Sequence, residues 1–84
     1  MATTLTLLSR PGCHLCDEAR EVVERVARDH VGEVVIEEQS ILDSNELMQK
    51  YAEEIPVLLV NGKVHTIWRV DEARLRTKLQ EVLA

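Results

Sequence analysis

The hydrophobic pattern changes at Pro11-Gly12, and this change most limits how the chain folds. Residues 3–8 form a short apolar run that is typical of a buried strand. From His14 onward, apolar residues recur at spacings of three, four and seven, which predicts an amphipathic helix. A Pro-Gly pair is a common turn. The sequence therefore predicts a strand, a tight turn and a helix in immediate succession.

A second strand and a short helix are predicted in the middle of the chain. The strand lies within residues 33–41, where an apolar run without clean alternation leaves its register open. Asp43, followed three residues later by Glu46, is typical of a capping box that opens a helix. That helix is expected to end near Ala52.

A hairpin and a final helix are predicted in the last third of the chain. Residues 55–60 and 63–68 are two β-rich runs separated only by Asn61-Gly62, which is the strongest short-range hairpin signal. Asp71 is expected to cap the last helix, because a side-chain carboxylate accepts from the free N–H groups of a first turn.

The order of these elements is βαβαββα, which predicts an α/β fold with a four-stranded mixed sheet flanked by three helices. The first two strands are joined through a helix and should therefore be parallel. The last two should be antiparallel, because a two-residue turn joins them. A chain of 84 residues has room for one hydrophobic core, so a single domain over residues 1–84 is predicted.

Charge and composition argue against several classes of partner. The formal net charge of −5 is unfavourable for nucleic acids and anionic membranes, which are bound by basic patches. No apolar run approaches the roughly 18 residues of a membrane span, and the N-terminus lacks the basic start of a signal peptide. We therefore expect a cytoplasmic monomer with neither nucleic-acid nor membrane partners.

Cys13 and Cys16 are the only cysteines, and they form one Cys-x-x-Cys at the predicted start of the first helix. A structural disulfide gains little in the reducing cytoplasm, so the pair indicates redox or metal chemistry. Free N–H groups and the helix dipole stabilise a thiolate at a helix N-terminus. We expect Cys13 to attack a disulfide and Cys16, one turn further along, to resolve the mixed disulfide.

Two residues that can carry positive charge accompany the cysteines, an arginine and a histidine that does so when protonated. Arg10 lies three residues before Cys13, and His14 lies between the two cysteines. A positive charge close to a thiolate stabilises its charged form. Both residues are therefore candidates for the substrate site, as electrostatic helpers of the attacking thiolate.

Four segments carry a family resemblance: SRPGCHLCD at residues 9–17, Tyr51, Ile55-Pro56-Val57 and Asn61-Gly62. Together they resemble the small glutaredoxin-like proteins of the thioredoxin superfamily. The resemblance implies a minimal thioredoxin fold and dithiol–disulfide exchange. It also implies a cis peptide bond before Pro56, beside the thiols, and a substrate disulfide paired with the backbone of Ile55. The residues alone leave open whether Pro56 is cis or an ordinary trans proline.

The region before the last helix departs from the family pattern. Glutaredoxins hold glutathione there with a glycine pair followed by acidic residues, whereas this chain has Trp68-Arg69-Val70-Asp71-Glu72. Asp71 and the N-terminus of the last helix are expected to hold the charged end of a ligand. Trp68 is expected to be a partly buried cap over the hairpin. No tightly bound cofactor is predicted, and the candidate electron donors are glutathione and a protein reductase.

The sequence therefore predicts a cytoplasmic thiol–disulfide oxidoreductase that acts on protein or small-molecule disulfides. Two alternatives remain open: a thioredoxin-fold binding module without redox turnover, and a metal or iron–sulfur carrier that uses the same cysteines. A zinc site within one chain is disfavoured, since zinc takes four ligands and this motif supplies two. His30 and His65 lie far along the chain without paired ligand spacing. No metal-ligating residues are therefore predicted.

Overall fold

The β-strands of the protein form one mixed sheet with helices on its faces. A computed structural model describes residues 2–84 of the chain. The regular elements within those residues are strands β1 (Thr3–Ser9), β2 (Val34–Ser40), β3 (Val57–Val60) and β4 (Lys63–Ile67), helices α1 (His14–Arg28), α2 (Asn45–Tyr51) and α3 (Glu72–Leu83), and a short 3-10 helix (Ile41–Asp43).

The sheet has the strand order β2-β1-β3-β4. β1 and β2 are parallel, and β3 is antiparallel to both β1 and β4, which confirms the predicted mixed sheet. Leu8 pairs with Val57, and Val57 pairs with Ile67. The end of β1, the start of β3 and the end of β4 therefore lie side by side at one end of the sheet.

The core consists of two apolar clusters on opposite faces of the sheet. On one face, Leu5 and Leu58 pack with α1 and α3 through residues such as Val23 and Leu75. On the other face, a smaller cluster joins the sheet to the 3-10 helix and α2; its buried members are Leu8, Ile41, Tyr51 and Val57. Side chains alternate between the two faces of a strand, so β1 and β3 contribute to both clusters. α1 and α3 are thereby fixed against one face of the sheet, and α2 against the other.

The three α-helices begin and end much as their sequences predict. α1 has an acidic Asp17 in its first turn and basic Arg25 and Arg28 in its last, the distribution that the helix dipole favours. Asp71 caps α3, as predicted, because its Oδ1 accepts from the Arg74 N–H at 3.2 Å. Within residues 2–84, no helix combines the length and the apolar character that a membrane span requires.

The cap of α2 differs from the sequence prediction by one residue. Ser44, rather than Asp43, is the N-cap, and its hydroxyl accepts from the Leu47 N–H at 3.4 Å. Asp43 instead ends the 3-10 helix. The prediction failed because two adjacent residues can both cap a helix, and a preceding 3-10 turn is not visible in the periodicity.

The turn between β3 and β4 confirms the predicted hairpin. Asn61 and Gly62 have φ angles of 51° and 84°, the left-handed values that a two-residue hairpin turn of type I′ requires at both positions. Asn61 also extends the pairing with β1, since its N–H donates to the Thr4 carbonyl at 2.8 Å and its Oδ1 accepts from the Thr4 N–H at 3.0 Å.

Candidate active site

The candidate site lies at the end of the sheet where β1 ends, β3 begins and β4 ends. α1 starts here, after the turn at Pro11 and Gly12, and Gly12 takes the positive φ of 78° that glycine accommodates without strain. The sequence pattern of a strand, a turn and a helix thus places Cys13 at the sheet end and directs α1 back along the sheet.

Cys13 and Cys16 have different environments. Cys13 is the N-cap of α1, and its Sγ accepts from the Cys16 N–H at 3.1 Å. The two residues are paired as a disulfide, with their Cα atoms 5.2 Å apart. Cys16 is fully buried and Cys13 only half-buried. A sulfur at the Cys13 position is therefore the one that an incoming molecule reaches first.

Pro56 stands at the start of β3, beside the end of β1. It is fully buried, and the Ile55–Pro56 peptide bond is cis. The Pro56 carbonyl accepts from the Trp68 N–H at 2.7 Å, which ties the start of β3 to the end of β4. Ile55 is half-buried. In the part of the chain that the structure describes, its backbone N–H and C=O take part in no hydrogen bond.

A groove of about 210 Å³ lies next to the cysteines, between the first turns of α1 and the segment before α3. Leu15 and Trp68 line it and are 37% and 54% exposed, respectively. The Trp68 Nε1–H donates to the Glu53 carbonyl at 3.0 Å, which fixes the indole. We call this feature the Leu15–Trp68 groove. It gives the site an apolar wall.

Trp68 and Leu15 are both partly exposed, although each has an apolar side chain. Trp68 was expected to be a partly buried cap over the hairpin; 54% of it is exposed, and its Nε1–H donates to the Glu53 carbonyl. Leu15 belongs to the apolar stripe of α1 but is 37% exposed and lines the groove beside Trp68. Its position between the two cysteines was the signal that could have marked it as a site residue.

The turn that carries Cys13 is braced from the other side by an ionic network. Arg20 Nε and Nη2 donate to the two carboxylate oxygens of Glu38 at 2.7 and 2.6 Å, and Nη1 donates to Asp17 at 2.8 Å. The Ser9 hydroxyl also donates to Glu38, at 2.9 Å. These residues join α1, β2 and the end of β1 beside the turn at Pro11 and Gly12. The sequence alone does not reveal this network, because Arg20 and Glu38 are 18 residues apart in the chain.

The network changes the proton affinity of its members. Hydrogen bonding to Arg20 is the main cause that lowers the pKa of Glu38, although partial burial acts in the opposite direction. Hydrogen bonding to Glu38, and then to Asp17, raises the pKa of the Arg20 guanidinium. Both groups are therefore held in their charged forms.

The chain matches the family described as Glutaredoxin-like domain (DUF836) over residues 4–80. The match includes both cysteines, Pro56 and the hairpin. The chain belongs to the glutaredoxin-like family. The residues quoted above for the resemblance and the four-stranded mixed sheet agree with this assignment, and the family resemblance and the minimal thioredoxin fold are both confirmed.

Individual relatives agree with the family assignment. The uncharacterized protein Rv0508 of Mycobacterium tuberculosis is 28% identical over 76 residues, which cover 87% of this chain and 78% of that protein. A glutaredoxin-like protein of Dictyostelium discoideum, described as a YDR286C homolog, is 28% identical over 83 residues, which cover 94% of this chain and 77% of that protein. The X-ray structure of target protein XcR50 from X. campestris has a TM-score of 0.73 and 32% identity, covering 92% of this chain and 96% of that chain.

The remaining candidate residues of this glutaredoxin-like chain are placed around the cysteines in different ways. Arg10 is exposed and lines a second groove, of about 370 Å³, next to the ionic network. His14 is exposed on the first turn of α1. Asp71 is also exposed, and one of its carboxylate oxygens is already used to cap α3. Contact of these three residues with a substrate stays a prediction.

The glutaredoxin-like site offers two sulfur ligands from one chain. Among residues 2–84, His, Cys, Asp and Glu side chains do not gather in groups of three or more that could hold a metal ion. The two cysteines are within disulfide distance of each other, which fits a thiol oxidoreductase-like role.

Proposed function

We propose that the protein is a cytoplasmic thiol–disulfide oxidoreductase that exchanges the Cys13–Cys16 pair with disulfides of proteins or small molecules. The single observation that carries this proposal is that the two cysteines differ in burial and in their place on α1. Cys13 is half-buried at the N-terminus of α1, where the Cys16 N–H donates to its sulfur, and Cys16 is fully buried within bonding reach.

The proposed reaction has two exchange steps. In the first, the Cys13 thiolate attacks one sulfur of a substrate disulfide, a Cys13–substrate disulfide forms, and the other substrate sulfur leaves as a thiolate that takes up a proton. In the second, the Cys16 thiol loses its proton and attacks the Cys13 sulfur, and the second substrate sulfur leaves. The substrate gains two electrons and the Cys13–Cys16 pair is oxidised to its disulfide.

The N-terminus of α1 supports the first step. The Cys16 N–H points at the Cys13 sulfur and would donate to the thiolate, and the first turn adds the positive end of the helix dipole. Arg10 and His14 are proposed to add positive charge from the surrounding turn. Cys16 is protected from direct attack by burial, which favours the order Cys13 first and Cys16 second.

Ile55 and Pro56 are proposed to align the substrate. A substrate strand that pairs with the free N–H and C=O of Ile55 would run along the start of β3, which the strand register places at the end of the sheet where Cys13 lies. The Leu15–Trp68 groove would accept an apolar side chain of the substrate next to its disulfide. Asp71 would bind a positively charged group of the substrate.

The electron donor is proposed to be glutathione or a protein reductase, with no tightly bound cofactor and with the protein acting as a monomer. Assays with glutathione plus its reductase, run in parallel with thioredoxin reductase, would identify the donor. Turnover in one assay alone names the donor, whereas turnover in neither favours a binding module. Size-exclusion chromatography with light scattering tests the monomer.

Alkylation trapping across glutathione redox buffers tests the proposed exchange. The wild type should show a reversible two-electron transition between the dithiol and the Cys13–Cys16 disulfide, within the cytosolic range of about −200 to −320 mV. The Cys13→Ser variant should lose reaction with substrates, and the Cys16→Ser variant should accumulate mixed disulfides through Cys13. No intramolecular disulfide anywhere in that range would overturn the proposal, and metal in anaerobically purified protein would favour a carrier.

A further inference from the structure

The surface between β4 and α3 concentrates positive charge in an acidic chain. The protein has 10 Lys and Arg residues against 15 Asp and Glu. Three of those cations, Lys63, Arg74 and Lys78, line one groove of about 550 Å³. Glu81 is the only carboxylate among the described residues that line it. We call this feature the β4–α3 groove. Its charge is opposite to that of the protein as a whole.

Two cations of the β4–α3 groove have no carboxylate partner. Neither Lys63 nor Arg74 forms an ion pair with any carboxylate in residues 2–84. Lys78 Nζ lies 3.8 Å from a Glu81 oxygen, in a pair whose side chains are 42% and 65% exposed, and such a pair is weak. Arg20 and other arginines of the protein are closely paired. The positive charge of this groove is therefore left largely uncompensated.

The cations approach the groove from two sides. Arg74 and Lys78 are four residues apart on α3, which places them one turn, or about 6 Å, apart along the helix. Lys63 lies across the groove at the start of β4. The Arg74 Nη2 donates to the His65 carbonyl at 3.0 Å. This bond orients the guanidinium and leaves its other N–H donors available for an anion.

His65 responds to the same charges. Partial burial is the main cause that lowers the pKa of His65, and the positive charges of Arg74 and Lys78 lower it further. The charged groups that line the groove around this imidazole are Lys63 from β4 and Arg74, Lys78 and Glu81 from α3. The smaller contribution of Arg74 and Lys78 has the direction expected of a groove in which positive charge predominates.

The shape and the apolar lining fit a small molecule better than an added strand. Val64 and Val82 line the groove and are 53% and 36% exposed. Small-molecule sites have volumes of about 300–1,000 Å³ and combine apolar walls with a few polar groups. β4 is an edge strand with a register shift at His65 and a lysine at its start, and such features discourage pairing with another strand.

We propose that the β4–α3 groove binds a small organic anion that carries at least two acidic groups, phosphates or carboxylates. Arg74 and Lys78 hold one acidic group, Lys63 holds the other across the groove, and the carbon skeleton lies against Val64 and Val82. The groove begins at the hairpin end of β4, whereas the thiol site lies at the opposite end of that strand. Binding is therefore separate from thiol exchange.

Titration followed by ¹H–¹⁵N correlation spectra tests this proposal. The probes are inorganic pyrophosphate and citrate, added at a constant chloride concentration of about 0.1 M so that general screening does not change. Saturable shifts should centre on the four residues Lys63, His65, Arg74 and Lys78. The imidazole of His65 should also titrate at higher pH with the anion bound, because the anion favours its protonated form.

Variants that each remove one positive charge, inside or outside the groove, distinguish a specific anion site from general electrostatic attraction to the protein. Arg74→Gln and Lys63→Gln should each weaken binding about tenfold, as the loss of a charge-assisted contact predicts. Arg28→Gln removes the same charge from an exposed position on α1 and should change affinity less than about twofold. Melting curves and spectra would show that each variant is folded, and Lys63 lies on an exposed edge where substitution leaves the core intact.

Three results would overturn the proposal. The first is a set of shifts that never saturates or is spread over the whole surface. The second is an equal loss of binding in Arg28→Gln and Arg74→Gln. The third is saturable binding of a glutamate-rich peptide at the groove while neither small anion saturates, since the occupant would then be an acidic protein segment.

Discussion

The Arg20–Glu38 pair is expected to stabilise the fold by an amount that depends on pH. We consider the variants Arg20→Met and Glu38→Gln, singly and together. Glu38 accepts two hydrogen bonds from Arg20 and one from Ser9, all of 2.9 Å or less. Both members of the pair are 35% exposed, so solvent screens the interaction only in part.

The expected coupling energy lies between two reference cases. Hydrogen bonds to charged groups contribute about 1.5–3 kcal/mol, and exposed ion pairs about 0.2–1 kcal/mol. Arg20 and Glu38 form two hydrogen bonds, and about one-third of each side chain is exposed. We therefore expect a coupling of about 1 kcal/mol in the free energy of unfolding. A loss of this size lowers the melting temperature of a domain of this length by about 4–8 °C.

The pH dependence of this stabilisation follows from the direction in which folding shifts the pKa of Glu38. The folded state lowers that pKa, mainly through the hydrogen bonds from Arg20, so the folded state favours the carboxylate. The stabilisation is therefore fully present above the unfolded-state pKa of about 4.3, and it is lost as the pH falls through the lower folded-state value. Arg20 stays charged throughout and does not change this sign.

A double-mutant cycle measures the coupling by urea unfolding at pH 7 and at several acidic pH values. The exposed pair Lys78–Glu81, at 3.8 Å, is a matched control with an expected coupling near zero at every pH. A coupling at pH 7 no larger than that of the control, or one that persists unchanged as Glu38 becomes protonated, would refute the reasoning.

Three further predictions concern the cysteines, the cap of α3 and the core. After reduction, Cys13 should be alkylated at least roughly tenfold faster than Cys16, because Cys16 is fully buried; mass spectrometry of partly alkylated protein measures this, and equal rates would contradict it. Asp71→Ala should lower the free energy of unfolding by about 1 kcal/mol, since the Arg74 N–H loses its acceptor, whereas Asp71→Asn should restore most of it in the same urea assay. Leu58→Ala should cost about 2–5 kcal/mol by thermal or urea unfolding, because the fully buried side chain leaves a cavity between the sheet and its helices, and a cost below 1 kcal/mol would contradict its place in the core.

The fold could be predicted from the sequence because its local signals agree with one another. The turn at Pro11-Gly12, the period of α1 and the hairpin at Asn61-Gly62 each define one element without help from the rest of the chain. Their order then leaves few topologies. The second strand was the least defined of the elements, because β2 is an edge strand with mostly exposed side chains and so has little hydrophobic alternation.

The site was predictable only where its residues are close together in the sequence. Cys13 and Cys16 share one short motif, and the strand–turn–helix pattern placed them at a helix start. The contacts between Arg20 and Glu38, 18 residues apart, arise only when β2 pairs beside β1. The position of Trp68 beside Leu15 likewise arises only when the segment before α3 packs next to the start of α1.

The Leu15–Trp68 groove, which we propose accepts a side chain of the substrate, has walls that lie outside the buried core. Leu15 and Trp68 both lie next to the cysteines, but neither belongs to the buried clusters that hold the sheet and helices together. In the proposed exchange reaction, a substitution at Leu15 would change what the groove accepts at little cost in folding free energy, whereas a substitution at Trp68 would also remove the hydrogen bond from its Nε1–H to the Glu53 carbonyl. Under that proposal, chains of this fold can differ at Leu15 in the substrates they accept while the two buried clusters stay unchanged.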